Sequence, residues 1–177
     1  HGAPHILVNN AGQAPGVAFL ETSLELWQHT LSVNLTGTFL CTKAVLPAML
    51  ERKSGRIINI ASTAGLKGYT RVAAYCASKH GVVGLTRALA AEVARQGITV
   101  NAVCPAYTEG DMSDRAAQSI AAARAIPADE ARQRLERLIP IGRLIRPGEV
   151  ASAVVWLCSD GAAAITGQAL AVAGGEV

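Results

Sequence analysis

Tyr75-Cys76-Ala77-Ser78-Lys79 opens a stretch of small and apolar residues, 73–94, that reads as one long helix. A spacing of i, i+4 puts Tyr75 and Lys79 on one helix face, within reach of each other. A free tyrosine titrates near pH 10, and an ammonium a few ångströms away favours its phenolate. At an effective dielectric of ~20 and ~4 Å, that attraction is at most about 4 kcal/mol, or roughly three pKa units. The pair could therefore exchange a proton near neutral pH. The same spacing also suits an ordinary surface hydrogen bond, so its setting must decide.

The setting is a folded chain. Of 177 residues, half are apolar and only 16% are charged, enough for one domain with a core and too apolar for disorder. A net charge of +3 without a dense Lys/Arg run argues against a nucleic-acid partner. Cys41, Cys76, Cys104 and Cys158 form no CxxC, and no His/Cys cluster has metal-ligand spacing. They read as reduced, buried thiols of a cytoplasmic protein, with no metal site. No uninterrupted apolar run reaches the ~18 residues of a membrane span, so no membrane partner is expected.

Strand and helix patterns alternate around this helix. Residues 5–8 form a short apolar run ended by Asn9-Asn10-Ala11-Gly12, and 56–60 form another ended by Ala61-Ser62. A third strand, 98–103, closes at Cys104-Pro105, and a fourth covers 168–173. Ser23 is a candidate N-cap for a helix running through Met49, with a kink where Asn34, Thr36 and Gly37 weaken it. Lys53-Ser54-Gly55 stops that helix, and Gly97 caps the long one. Two polar helices span 112–125 and 128–138, and Pro147 opens a last one. Alternation of this kind predicts an α/β fold, a parallel sheet with helices on both faces. Ligands bind such sheets at the carboxyl ends of the strands. Asn9 to Gly12, Ser62 and Pro105 fall there, and Tyr75 and Lys79 begin the helix after the second strand. Taken singly, Ser62 reads as a turn residue, Asn34 as a kink residue and Asn9 to Gly12 as a strand-ending turn.

Together, Asn9-Asn10-Ala11-Gly12, Asn34 within Val33-Asn34-Leu35, Ser62, Tyr75 with Ala77, Ser78 and Lys79, and Pro105 resemble the short-chain dehydrogenase/reductase family in order and spacing, over nearly the whole chain. The resemblance implies a doubly wound, Rossmann-like domain spanning 1–177, with a helical substrate lid at about 108–146. It implies an oxidoreductase that uses NAD or NADP to interconvert a secondary alcohol and a ketone. Tyr75 would be the general acid/base, and Ser62 would hydrogen-bond the same substrate oxygen. Lys79 would hold the cofactor ribose and depress the tyrosine pKa. Asn34 would anchor a proton-relaying water. Asn9, Ala11 and Gly12 would line the adenosine side, with Pro105, Ala106 and Thr108 near the nicotinamide. Gln13, Ala64, Tyr69 and Tyr107 are the expected substrate-pocket residues. The pattern is most similar to 3-oxoacyl-thioester reductases and 3-hydroxyacyl dehydrogenases. A homotetramer would form through the helices carrying Asn34 and Tyr75.

Several features depart from the family. The glycine-rich turn that holds the pyrophosphate, with the first three strands and two helices, has no counterpart in the sequence. Gly12-Gln13-Ala14-Pro15-Gly16 imitates that turn but follows the wrong strand. The strand 5–8 would then lie at a raw sheet edge, so this stretch is expected to need the rest of a longer polypeptide, or a complementary chain, to fold and act. Ala106 stands where the family has glycine, Gly110 where it has a cofactor-contacting threonine, and Ala173 where it often has aspartate. Arg115, Arg124, Arg132, Arg134 and Arg137 on the lid suit either a solvated face or the phosphate of a CoA or carrier-protein thioester. Rival readings are a sugar, polyol or cyclic-alcohol dehydrogenase, and a non-catalytic scaffold that kept the fold.

Overall fold

A computed structural model describes residues 4–177. Its sheet has four parallel strands in the order β1 (Ile6–Asn9), β2 (Gly55–Ile60), β3 (Ile98–Pro105), β4 (Ala169–Val172). Register pairs Leu7 with Ile57, Ile57 with Val100 and Val103 with Leu170. Side chains alternate across the pleat. Ile57 and Val100 therefore pack with Met49, Ala90 and Val93 from α2 (Gly37–Arg52) and α3 (Ala73–Val93). Ile58 and Val103 face the other way, onto Leu157 of α6 (Pro147–Cys158). Helices thus cover both faces, as the alternation predicts. α4 (Asp111–Arg124) and α5 (Ala128–Glu136) form a separate layer packed through Ala117, Ala131, Leu135 and Ile139.

The Ser23 hydroxyl accepts from the Leu26 N–H and caps α1 (Leu24–Leu31). The expected kink is instead a π-helical turn, Ser32–Thr36, which joins α1 to α2 without a break. A π-turn accommodates an extra residue and is common at functional sites. The continuous helix Leu24–Arg52 runs 29 residues with a window of mean hydropathy 1.3, long and apolar enough by composition to cross a membrane. This corrects the sequence reading, which treated Asn34 to Gly37 as an interruption. Within the domain this helix packs on β1, β2 and α3. Its buried residues are Thr30, Asn34, Thr38 and Thr42, with Met49 the one apolar member, while Phe39, Leu40 and Leu50 are exposed. β1 is an edge strand whose Ile6 and Val8 are exposed, as are Val155 and Trp156 on α6.

Candidate active site

Parallel strands end on the same side of the sheet, so the segments leaving β1, β2 and β3 converge. They enclose a cavity of about 870 Å³ lined by Ala11, Gly12 and Gln13 after β1, Ser62 and Ala64 after β2, and Pro105 at the end of β3 with Ala106, Tyr107 and Thr108 beyond it. α3 adds Tyr75 and Lys79 from its first two turns, and Tyr69 lines the cavity from the loop before it. Ser62 caps the 3-10 turn Thr63–Gly65, accepting from the Ala64 N–H at 3.1 Å. A Cβ at Gly65 would lie 2.8 Å from the Lys79 carbonyl, so this turn rests directly on α3 and holds Ser62 against Tyr75.

Burial pushes the Tyr75 phenol up, and its hydrogen bond with the Ser62 hydroxyl pulls partly the other way. The depressed tyrosine expected from the i, i+4 pair is not what the geometry produces. Lys79 Nζ sits 5.7 Å from the Tyr75 ring centroid and donates at 2.7 Å to the Ile60 carbonyl. Burial also lowers Lys79 to about 8, and Cys104 pulls only weakly the other way. Cys104 is pushed up to about 11 by burial and stays a neutral thiol.

Asn34 and Asn9 lie outside the cavity wall. Asn34 is buried in the π-turn, and its side chain grips the Gln13 backbone on both sides. Oδ1 accepts from Gln13 N and Nδ2 donates to Gln13 O, each at 2.9 Å. Nδ2 also donates to Ser78 Oγ at 2.9 Å. The Asn34 carbonyl accepts from Thr38 Oγ1. Asn34 therefore fixes the Gln13 loop against α3, a role that the sequence reading, centred on a water, had not foreseen. Asn9 does not line the cavity. Its side chain donates to Asn59 Oδ1 at 2.8 Å and to Thr42 Oγ1 at 3.1 Å, so it bonds β1 to β2 and α2. Its neighbour Asn10 lines the cavity instead, as do Pro15, Met112 and Arg115. Strand alternation is the signal that separates Asn10 from Asn9.

The residues present fit the nicotinamide-ribose end of a dinucleotide. Lys79 is a buried ammonium with three N–H donors, one of which meets Ile60 O. Gly12 leaves open the space beside it, where a Cβ would lie 3.4 Å from Lys79 Nζ and 3.3 Å from Asn34 Oδ1. The family departures after β3 also resolve. Ala106 is not among the positive-φ residues, so it fits without backbone strain. Gly110 has φ 132°, a conformation open to glycine and strained for threonine. The Thr108 hydroxyl donates to Ala106 O at 3.0 Å and braces this turn. On α4 and α5, Arg132 pairs with Asp114 and Glu136, and Arg134 with Glu130, the solvated-face arrangement.

A family profile described as Enoyl-(Acyl carrier protein) reductase matches residues 1–176. A 3-oxoacyl-[acyl-carrier-protein] reductase of Synechocystis is 45% identical over 173 residues, covering 97% of this chain and 64% of its own. An actinorhodin polyketide ketoreductase variant solved with NADPH is 50% identical and superposes with a TM-score of 0.93, covering 97% of this chain and 66% of its own. An oxidoreductase of the short-chain dehydrogenase/reductase family from Burkholderia thailandensis superposes with a TM-score of 0.87 at 32% identity, covering 99% of this chain and 65% of its own. The chain therefore spans about two thirds of the length of the relatives it matches.

Proposed function

Because the chain belongs to the short-chain dehydrogenase/reductase family, we propose that the protein is an NAD(P)-dependent oxidoreductase that interconverts a ketone and a secondary alcohol, with a 3-oxoacyl thioester as the ketone. The observation that carries this reading is the convergence of Ser62, Tyr75 and Lys79 on one cavity at the carboxyl ends of the strands. The cofactor, when bound, supplies the hydride. The raised pKa of Tyr75 keeps its phenol protonated, the state needed to donate a proton to the carbonyl oxygen during reduction. Ser62 donates a second hydrogen bond to that oxygen as negative charge grows on it. The phenolate left behind faces the Lys79 ammonium, whose free N–H groups are placed for ribose hydroxyls. Asn34 keeps the Gln13 loop, one wall of the cavity, in register with α3.

The thioester assignment draws support from the names of the relatives and from Arg115, which lines the cavity where an acyl carrier's phosphate would approach. The 50%-identical ketoreductase solved with NADPH supports the cofactor class. The four free cysteines suit a cytoplasmic protein. The apolar outer face of α2 and α3, with a groove between Phe39, Leu46, Leu50, Leu85 and Leu89, suits packing of this helix pair against a second copy in a homotetramer. The test is oxidation of NADPH by the full-length protein with a 3-oxoacyl thioester, followed by loss of absorbance. Tyr75→Phe removes the proton donor and should lower kcat by roughly 10²–10⁴-fold. A variant that kept full activity would overturn the assignment.

A further inference from the structure

The segment between β2 and α3 carries Ser62 at its start, and its middle is tied to a residue distant in sequence. Glu176 lies beyond β4, and its side chain is only 4% exposed. Its Oε1 accepts from the Tyr69 hydroxyl at 2.6 Å and ion-pairs with Lys67 Nζ at 3.1 Å. The same ammonium donates to the Glu176 carbonyl at 3.2 Å. The Tyr69 hydroxyl in turn lies 2.6 Å from Thr63 Oγ1. A carboxylate only accepts, so the phenolic proton goes to Glu176 and the Thr63 hydroxyl donates to Tyr69. Burial first, and then the bond to Glu176, push the Tyr69 phenol up, so it keeps the proton this link needs. Thr63 follows Ser62 directly and opens the 3-10 turn, in which Ser62 O accepts from Gly65 N at 2.8 Å and Ser62 Oγ from Ala64 N at 3.1 Å. A line of side chains thus runs from Glu176 to the backbone beside Ser62. Net stability is a poor reason for it. Glu176 Oε2 is buried and has no hydrogen-bond partner among the described residues. A buried carboxylate with an unmet oxygen costs free energy, and well-packed apolar side chains commonly replace such a group without loss. What the carboxylate does supply is direction, because it fixes where one phenol, and through it one threonine, can sit.

We propose that Glu176 is a positioning residue for Ser62: through Tyr69 and Thr63 it sets the turn that aims the Ser62 hydroxyl at the substrate carbonyl oxygen. Neither Glu176 nor Lys67 lines the cavity, so the carboxylate acts without touching substrate. Its effect belongs to turnover rather than to binding. The bond from Ser62 strengthens as negative charge grows on the oxygen, so a misaimed hydroxyl costs more in the transition state than in the bound ketone.

This inference rests on the ketone-reductase reading above. Its test uses the full-length protein with NADPH and acetoacetyl-CoA, a 3-oxoacyl thioester. Glu176→Ala should lower kcat roughly tenfold while KM changes less than about twofold. Glu176→Gln keeps an acceptor for Tyr69 and should restore most of the lost kcat. In a Ser62→Ala background the Glu176→Ala change should cost nothing further, since the group it aims is gone. A merely structural role would instead lower kcat equally in both backgrounds. That result, or a change confined to KM, would overturn the proposal. Hydrogen exchange gives a second readout that needs no turnover. The Ala64 and Gly65 amides should exchange roughly tenfold faster in Glu176→Ala, while those of β3 keep their wild-type rates. Should that variant fail to fold, Tyr69→Phe cuts the same link with the ion pair intact and must give the same exchange result. If the wild-type protein did not reduce acetoacetyl-CoA, the thioester reading would fail on its own. Unchanged exchange at Ala64 and Gly65 would overturn the positioning role in either case.

Discussion

Lys79 shows why residue chemistry needs its surroundings. The sequence places it beside Tyr75 but not how dry the site is, and burial lowers it to about 8 from 10.5. Between those pH values the unfolded chain holds a proton that the folded chain has released, so stability rises with pH across that window and falls as pH drops through about 8. Chemical denaturation at pH 7 and at pH 9.5 should show a gain of about 2 kcal/mol in wild type from this group. Lys79→Met should flatten that gain and be more stable at pH 7, while losing activity. An unchanged pH dependence in the variant would show that Lys79 is not the group responsible. That Ser62, Tyr75 and Lys79 share one cavity was legible from their joint placement at the strand ends, although Ser62 taken singly reads as a turn residue. Asn9 and Asn34 were less so. An asparagine can serve a ligand, a loop or a neighbouring strand, and only Asn59, Thr42 and Gln13, distant in sequence, decide among these.

Among the elements, strands and long helices were readable from their periodicity to within a few residues, while the joints between them were not. The π-turn at Ser32–Thr36 carries no signature beyond weak helix formers in mid-helix, so it looked like a kink. At the end of α2, Lys53-Ser54-Gly55 marked the stop, as the structure has it. The left-handed residue is Lys53, at φ 52° and ψ 38°, and Gly55 instead opens β2. An exposed lysine in that conformation carries a steric cost that glycine lacks. Lys53→Gly should therefore raise stability by about 0.5–1 kcal/mol in a urea melt, with activity unchanged. A loss of stability would mean that flexibility gained by the unfolded chain outweighs the relief at the cap.

For the whole molecule, the alternation of strands and helices was sufficient to specify a parallel sheet covered on both faces and the edge where its site lies. It did not specify which helix faces are covered. Apart from Met49, the helix Leu24–Arg52 buries threonines and an asparagine while it exposes Phe39, Leu40 and Leu50. If that face joins copies of the protein, as the proposed assembly requires, Phe39→Asp should yield smaller species than wild type in analytical ultracentrifugation. An assembly state identical to wild type would remove the helix pair from the interface. The strand registers carry one more consequence, and it concerns time. Asn9 bonds Asn59 across 50 residues of sequence, and Gln168 bonds Asn101 across 67. Each such pairing closes a long loop before any contact repays the lost chain entropy. The local turns of α3 can form early, but the sheet beneath the site can only be completed after its crossovers have come together. Folding is therefore set by a high contact order and runs slower than in a hairpin-built domain of equal length.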